Sequence, residues 1–280
     1  MNGNRAAGIT AALVRDTFRE AFARKIFLGF YGLSTLLILF FLFLLKIDVV
    51  EGARATVTLF GQTSGRLRDV EALVRGFQAG VATFLYTWGM ALAVFASAGL
   101  IPTVLEAGRI DLLISKPVRR AHLLLGRYLG NLLVVALNVG YVVFGVWAIL
   151  GWKTGVWRTE FLSAILTTTF IFAVLLSVIV LVSVLFESPA VSVMTVFGMM
   201  LLSPILAQTR LMERLLPSEW SRDLWKALYY VFPKVYDVGR MTLELVNGRA
   251  AGSLMPLWTS ALFTLAILGA GLWLFARRDY

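Results

Sequence analysis

Apolar and polar residues are segregated along this chain on the scale of whole helices. Six stretches, 27–46, 77–101, 128–150, 161–186, 190–208 and 254–276, have no Asp, Glu, Lys, Arg or His in their interiors. A helix that crosses a bilayer needs about 20 such residues at 1.5 Å rise per residue. The pattern predicts an all-α membrane protein, a six-transmembrane-helix bundle. The fifth stretch is short and contains Pro204. Proline removes a helix hydrogen bond and crowds the preceding turn, so a kink or break is expected there.

The segments between the spans are patterned too. Over 8–25, Val14, Phe18, Ala21 and Phe22 share one helical face, and Arg15, Asp16, Arg19 and Glu20 share the other. That suits a helix lying flat in the headgroup layer. Over 65–77, Leu67, Val70, Leu73, Val74 and Phe77 predict a second short amphipathic helix. In 209–253, Pro217 and Ser218 open a helix with Trp220, Leu224, Leu228 and Val231 on one stripe. Pro233 interrupts it, and another helix is expected from Val235 to Val246, closed by Asn247–Gly248. Small residues at four-residue spacing, Ala93/Ser97 and Ala266/Ala270, are candidates for close helix approach.

Composition agrees with this pattern. The chain of 280 residues is 59% hydrophobic, against about 45–50% for soluble domains. Its formal net charge is +10. Nucleic acid is set aside as the partner, because the basic residues fall between apolar runs and anionic lipid accounts for them. There is no cysteine and a single histidine, His122. This leaves no residues for disulfides, thiol catalysis or a His-based metal site.

The first apolar run ends in Lys46 and Asp48 without a small-residue cleavage signal, so it reads as a retained span. Total charge does not orient the bundle. The 209–253 segment alone has seven Lys/Arg against five acids. The residues abutting span ends, Arg24, Lys25, Arg277 and Arg278, put both termini in the cytoplasm of an inner (plasma) membrane protein.

The most informative loop is 102–127, where Arg109, Lys116, Arg119, Arg120 and Arg127 keep the chain out of hydrocarbon. Thr103 and Glu106 form a capping box before a short helix over 104–114. That helix carries Leu105, Ile110, Leu112, Leu113 and Ile114, an apolar surface that has to meet a partner, the membrane or the bundle. Ser115 and Pro117 restart a helix that runs through Arg119, Arg120 and Arg127 into the third span.

Gly108, Ile110, Asp111, Leu113, Ser115, Pro117 and Arg120, followed by Leu125, Gly126, Arg127, Tyr128 and Gly130, form a pattern that resembles the permease subunits of ABC-2-type ABC transporters. The six-span layout and the helical outer loop are similar as well. Many members have Glu-x-Gly-Thr where this chain has Glu106-Ala107-Gly108-Arg109. The resemblance implies that Leu105, Glu106, Arg109, Ile110, Asp111, Leu112, Leu113 and Ile114 form a coupling helix that docks on an ATPase subunit. It makes 8–25 an elbow helix, and it places spans two and five along the transport route. It also implies a second permease copy or paralogue and two ATPases.

The chain has no Gly-x-x-x-x-Gly-Lys-Ser/Thr, so ATP and magnesium are expected on the partner and no cofactor on this chain. No catalytic constellation is present, and the chain is not expected to be an enzyme. Proton- or ion-coupled carriers bury ionisable residues at midplane, and none falls there in these spans. Asn138 in span three and Pro204 in span five are the candidate route or gate residues. Two other classes remain open at this point. One is a membrane anchor or regulatory partner. The other is an interfacial enzyme, for which Asp223, Asp237 and Glu244 are the only candidate groups.

Overall fold

The computed structural model describes residues 15, 19, 25–50, 54–59, 62–63, 68–99, 120–216 and 218–277. The architecture is helical, as expected. Among the described residues, five helical stretches are long and apolar enough to cross a membrane: Val70–Ala98, Ala121–Thr154, Thr159–Phe186, Pro189–Leu206 and Met255–Arg277. A sixth, Leu28–Leu44, is apolar and shorter.

Helix α1 (Lys25–Leu39) passes through a π-helical turn (Phe40–Leu44) into strand β1 (Leu45–Val50). A small antiparallel sheet stands where the sequence reading has only a loop. β2 (Arg54–Leu59) pairs with β1 from Leu45↔Leu59 to Val50↔Arg54. Two short strands, β3 (Gln62–Thr63) and β4 (Arg68–Asp69), also pair with β2. The β-branched run Thr56-Val57-Thr58, opposite Asp48, Ile47 and Lys46, is the composition that favours strands.

The helix expected at 65–77 and the span expected at 77–101 are one continuous element. It comprises α2 (Val70–Phe84), a π turn (Leu85–Gly89) and α3 (Met90–Ala98). Asp69 caps it, its carboxylate accepting from the Glu71 N–H at 3.4 Å. No proline lies inside to divide it. Helix α4 (Arg120–Thr154) likewise runs 35 residues without a break.

Helix α5 (Ser163–Phe186) follows a 3₁₀ turn (Thr159–Leu162) and is apolar all round, as a helix enclosed by others must be. It packs against α3, α4, α6 (Pro189–Leu206) and α10 (Met255–Arg277). Gly271 of α10 packs on α5, where a Cβ would meet Val180 and the Leu181 backbone at 3.4–3.5 Å, an ordinary van der Waals contact. The pair Ala266/Ala270, singled out from spacing, is exposed instead.

Short polar contacts pin the helices together. Tyr31 donates to the Val134 carbonyl and the Ser34 hydroxyl to Asn138 Oδ1, each at 3.0 Å, joining α1 to α4. Ser97 donates to Asn131 Oδ1 at 3.1 Å, joining α3 to α4. Such bonds contribute roughly 0.6 kcal/mol each in membrane bundles.

Between α6 and α10 lie α7 (Thr209–Leu215), α8 (Glu219–Val231) and α9 (Val235–Val246). The α8 stripe of Trp220, Leu224, Leu228 and Val231 is exposed, and the helix buries no residue at all. Helix α9 differs, because Val235, Val238, Met241, Thr242 and Val246 bury one face against the bundle. It ends at Asn247–Gly248, where Gly248 adopts φ +74°.

Candidate functional site

Helix α9 lies across the end of the bundle opposite Ala98 and Arg120, and side chains tie it down at both ends. At its start, the Ser203 hydroxyl of α6 accepts from the Tyr236 N–H at 2.9 Å and donates to the Pro233 carbonyl at 3.4 Å. Ser260 of α10 accepts from the Lys234 N–H at 3.0 Å. Tyr86, in the π turn of the second membrane helix, donates to the Val235 carbonyl. The turn 233–236 is thus held by three different membrane helices. At the other end, buried Arg158 donates to Glu71 Oε1 at 2.8 Å and to the Val246 carbonyl at 3.4 Å.

Glycine is required at one contact. A Cβ on Gly239 would stand 2.7 Å from the Tyr86 ring, closer than carbon atoms approach. Helix α9 and the π turn therefore touch through a bare backbone. π turns of this kind recur at functional positions in helices.

Beside this contact is a cavity of about 520 Å³, framed by α2 and its π turn, α6 and α9. Pro204 and Met200 of α6 line it. Proline has no N–H to give to the carbonyl four residues earlier, so the Met200 carbonyl loses its helical partner at the cavity wall. α6 continues through Pro204 and ends at Leu206.

Lys234 is the unusual charge here. Its residue is only 2% exposed, and its ammonium sits 3.1 Å from the Tyr229 ring centroid and 5.6 Å from that of Tyr230. Such a stacked cation gains from the ring quadrupole. Burial pushes its pKa down from 10.5 to about 8, and Asp237 opposes that shift. Tyr229, bonded to Asp237 Oδ2 at 2.9 Å, is raised by its own burial and by Asp237, so it stays neutral through this range.

The sign follows from linkage. Below pH 8 the lysine is protonated both when seated and when hydrated, and the cost of burying its charge is fully present. Between pH 8 and 10.5 the seated form sheds its proton first, so the seat gains stability as pH rises. The thermal midpoint measured from pH 7 to pH 9.5 is therefore expected to rise more in the native chain than in Lys234→Met. Parallel curves would disprove the effect.

The residues singled out in the sequence are placed as follows. Leu105, Glu106, Arg109, Ile110, Asp111, Leu112, Leu113, Ile114, Ser115, Pro117 and Arg119 lie outside the described residues. Of the helix expected at 8–25, Arg15 and Arg19 are described and helical. Arg120 opens α4, and Arg127 is buried on it. Asn138 is fully buried and accepts the Ser34 bond, away from the cavity that holds Pro204. Asp237 and Glu244 are on α9, where Asp237 is tied to Tyr229 and Glu244 faces Arg240 at 3.8 Å. Asp223 is on exposed α8. Nothing local in the sequence marks Tyr86, Gly239 or Ser260, whereas Ser203 falls among the polar residues inside the spans, a type that suits hydrogen bonds between helices.

Residues 12–280 match the ABC-2 family transporter protein family. The chain belongs to the ABC-2 transporter family. The match takes in the described membrane helices, the α7–α9 segment and the residues between Ala98 and Arg120. As an ABC-2 family member the chain is a multi-pass membrane component of a transporter, a role that is not itself catalytic. No curated protein matches it.

Proposed function

We propose that this chain is the permease subunit of an ATP-driven exporter, working as a pair of permeases with two separate ATPase subunits. The observation that carries this reading is the continuity of the second membrane helix. Its Ala98 end precedes the loop expected at 102–127, and its π turn lies at the cavity beneath α9. An ATPase that moves the helix expected at 104–114 would act on one end of this lever and on the start of α4. The displacement reaches the Tyr86–Gly239 contact and the cavity wall as a rigid-body shift. Pro204 and the turn 233–236 then serve as the outer gate.

The six-span reading counts Leu28–Leu44 as the first span. With α1 entered from Lys25, the helical stretch through Leu44 rises about 30 Å, enough for the hydrocarbon layer. Basic residues beside the first and last spans keep the termini cytoplasmic in a plasma-membrane setting. No phosphate-cradling motif occurs in the chain, which supports a separate ATPase.

The test is co-purification. The tagged chain, extracted in mild detergent from membranes that contain its native neighbours, is expected to carry ATPase activity. Leu112→Asp or Leu113→Asp should remove that activity from the eluate while membrane insertion is unchanged. Retained association in both variants would remove the docking role of this loop.

A further inference from the structure

The cavity has a chemistry of its own, and it bears on what the permease carries. Its wall is built from Ala82, Trp88, Phe197, Met200 and Leu201, among others. Apart from Tyr236, the hydroxyls that line it already donate to backbone carbonyls. Thr83 donates to the Ala79 carbonyl, Thr87 to the Thr83 carbonyl, Thr242 to the Val238 carbonyl and Tyr86 to the Val235 carbonyl. A sugar or an extended peptide would leave most of its own polar groups without partners here, at a cost of a few kcal/mol for each group.

One lining residue is charged. Arg240 of α9 stands at the mouth, with its side chain 64% exposed and a loose pairing to Glu244 at 3.8 Å. A guanidinium offers five N–H donors in a planar fork that fits a carboxylate or phosphate in bidentate fashion. Trp88 and Leu201, on facing helices, are both largely exposed, so the cavity opens sideways from the bundle as well as toward α9.

We infer that this cavity takes an anionic amphiphile from the membrane, with its apolar chain between α2, α6 and α9 and its acidic head on Arg240. The inference rests on the permease reading and names the cargo class of that site. A cationic amphiphile meets the wrong charge at the mouth, and a neutral one gains nothing from Arg240.

The test uses the full chain in phosphatidylcholine nanodiscs, with 9,10-dibromostearate as the probe. Bromine quenches indole fluorescence on contact, and Trp88 is in the wall. The expected result is saturable quenching that disappears in Trp88→Phe. Arg240→Gln should weaken the apparent affinity roughly tenfold, and Ala91→Trp, which fills the cavity, should abolish it. Dibromo-octadecanol should bind roughly tenfold more weakly than the acid to the native chain and equally to Arg240→Gln.

Equal binding of acid and alcohol to the native chain would overturn the head assignment. Unsaturable quenching, or quenching indifferent to Ala91→Trp, would overturn the site. Efficient disulfide formation between two copies of Leu201→Cys without probe would make the second copy the occupant, which also overturns it. ATPase association is measured on the same preparations. Association without probe binding removes only the cargo class, and probe binding without association removes the permease reading and leaves the site.

Discussion

Replacing Lys153 by Met is expected to destabilise the chain by about 3 kcal/mol. The reason is where the lysine points. From the end of α4, its ammonium donates to the carbonyls of Phe41 at 3.0 Å, Leu42 at 2.6 Å and Leu45. These are final carbonyls of the first helix as it leaves its π turn for β1, and a helix end leaves such groups without intrahelical partners. A cation at that end also meets the negative pole of the helix.

Charge-assisted hydrogen bonds contribute about 1.5–3 kcal/mol each. Three that share one ammonium do not add, so a total near the top of that range is the reasonable figure. Thermal unfolding in detergent should show a drop of roughly 6–12 °C for Lys153→Met, with Lys153→Arg in between. A change under about 2 °C would mean that water satisfies these carbonyls just as well.

The second large effect is expected at Gly239. Gly239→Val puts a branched side chain where a single Cβ already comes within 2.7 Å of the Tyr86 ring. The ring is not free to move aside, because its hydroxyl is bonded to the Val235 carbonyl. Overpacking of this kind costs about 1–3 kcal/mol, and loss of the bond adds about 1 kcal/mol. Unlike the lysine substitution, this one should also abolish transport, since it lifts α9 from the π turn beside the cavity.

Tyr86→Leu provides the check. Alone it loses the bond to Val235 and is mildly destabilising. Combined with Gly239→Val it gives back the space, so the double variant should be more stable than Gly239→Val alone. Additive losses would show that the two residues do not act through one contact.

The helical class, the family resemblance and the course of α8 and α9 were legible in the sequence because each rests on local signals. Apolar runs mark the helices, Pro233 and Asn247–Gly248 punctuate them, and the motif around Asp111 and Arg127 is contiguous. What the sequence hid is long-range. Tyr86 and Val235 are 149 positions apart, and nothing local to either one signals the other. The same holds for Ser203 with Tyr236 and for Arg158 with Glu71.

The second membrane helix reads as two elements in the sequence because its first turns, Val70 to Phe77, are amphipathic while the rest is apolar throughout. The pattern changes there, but no residue between the two parts ends a helix. The sheet at 45–69 leaves little trace in the sequence because its strands are short and polar residues interleave them. Small-residue spacing points to Ala266 and Ala270, whereas Gly271 is the small residue that faces α5, because spacing does not show which side of a helix has a neighbour.

The link between α5 and α6 is only Glu187–Ser188, with Glu187 in the left-handed conformation at φ 53°. So short a connection matters before any bundle exists. A nascent chain leaving the ribosome cannot place α5 and lose α6, because two residues cannot reach across a membrane. α5 is the more hydrophobic partner by composition, so it carries α6, with its Pro204, into the bilayer as a helical hairpin. Pro204, in the wall of the cavity, thus sits on a helix that does not have to insert alone.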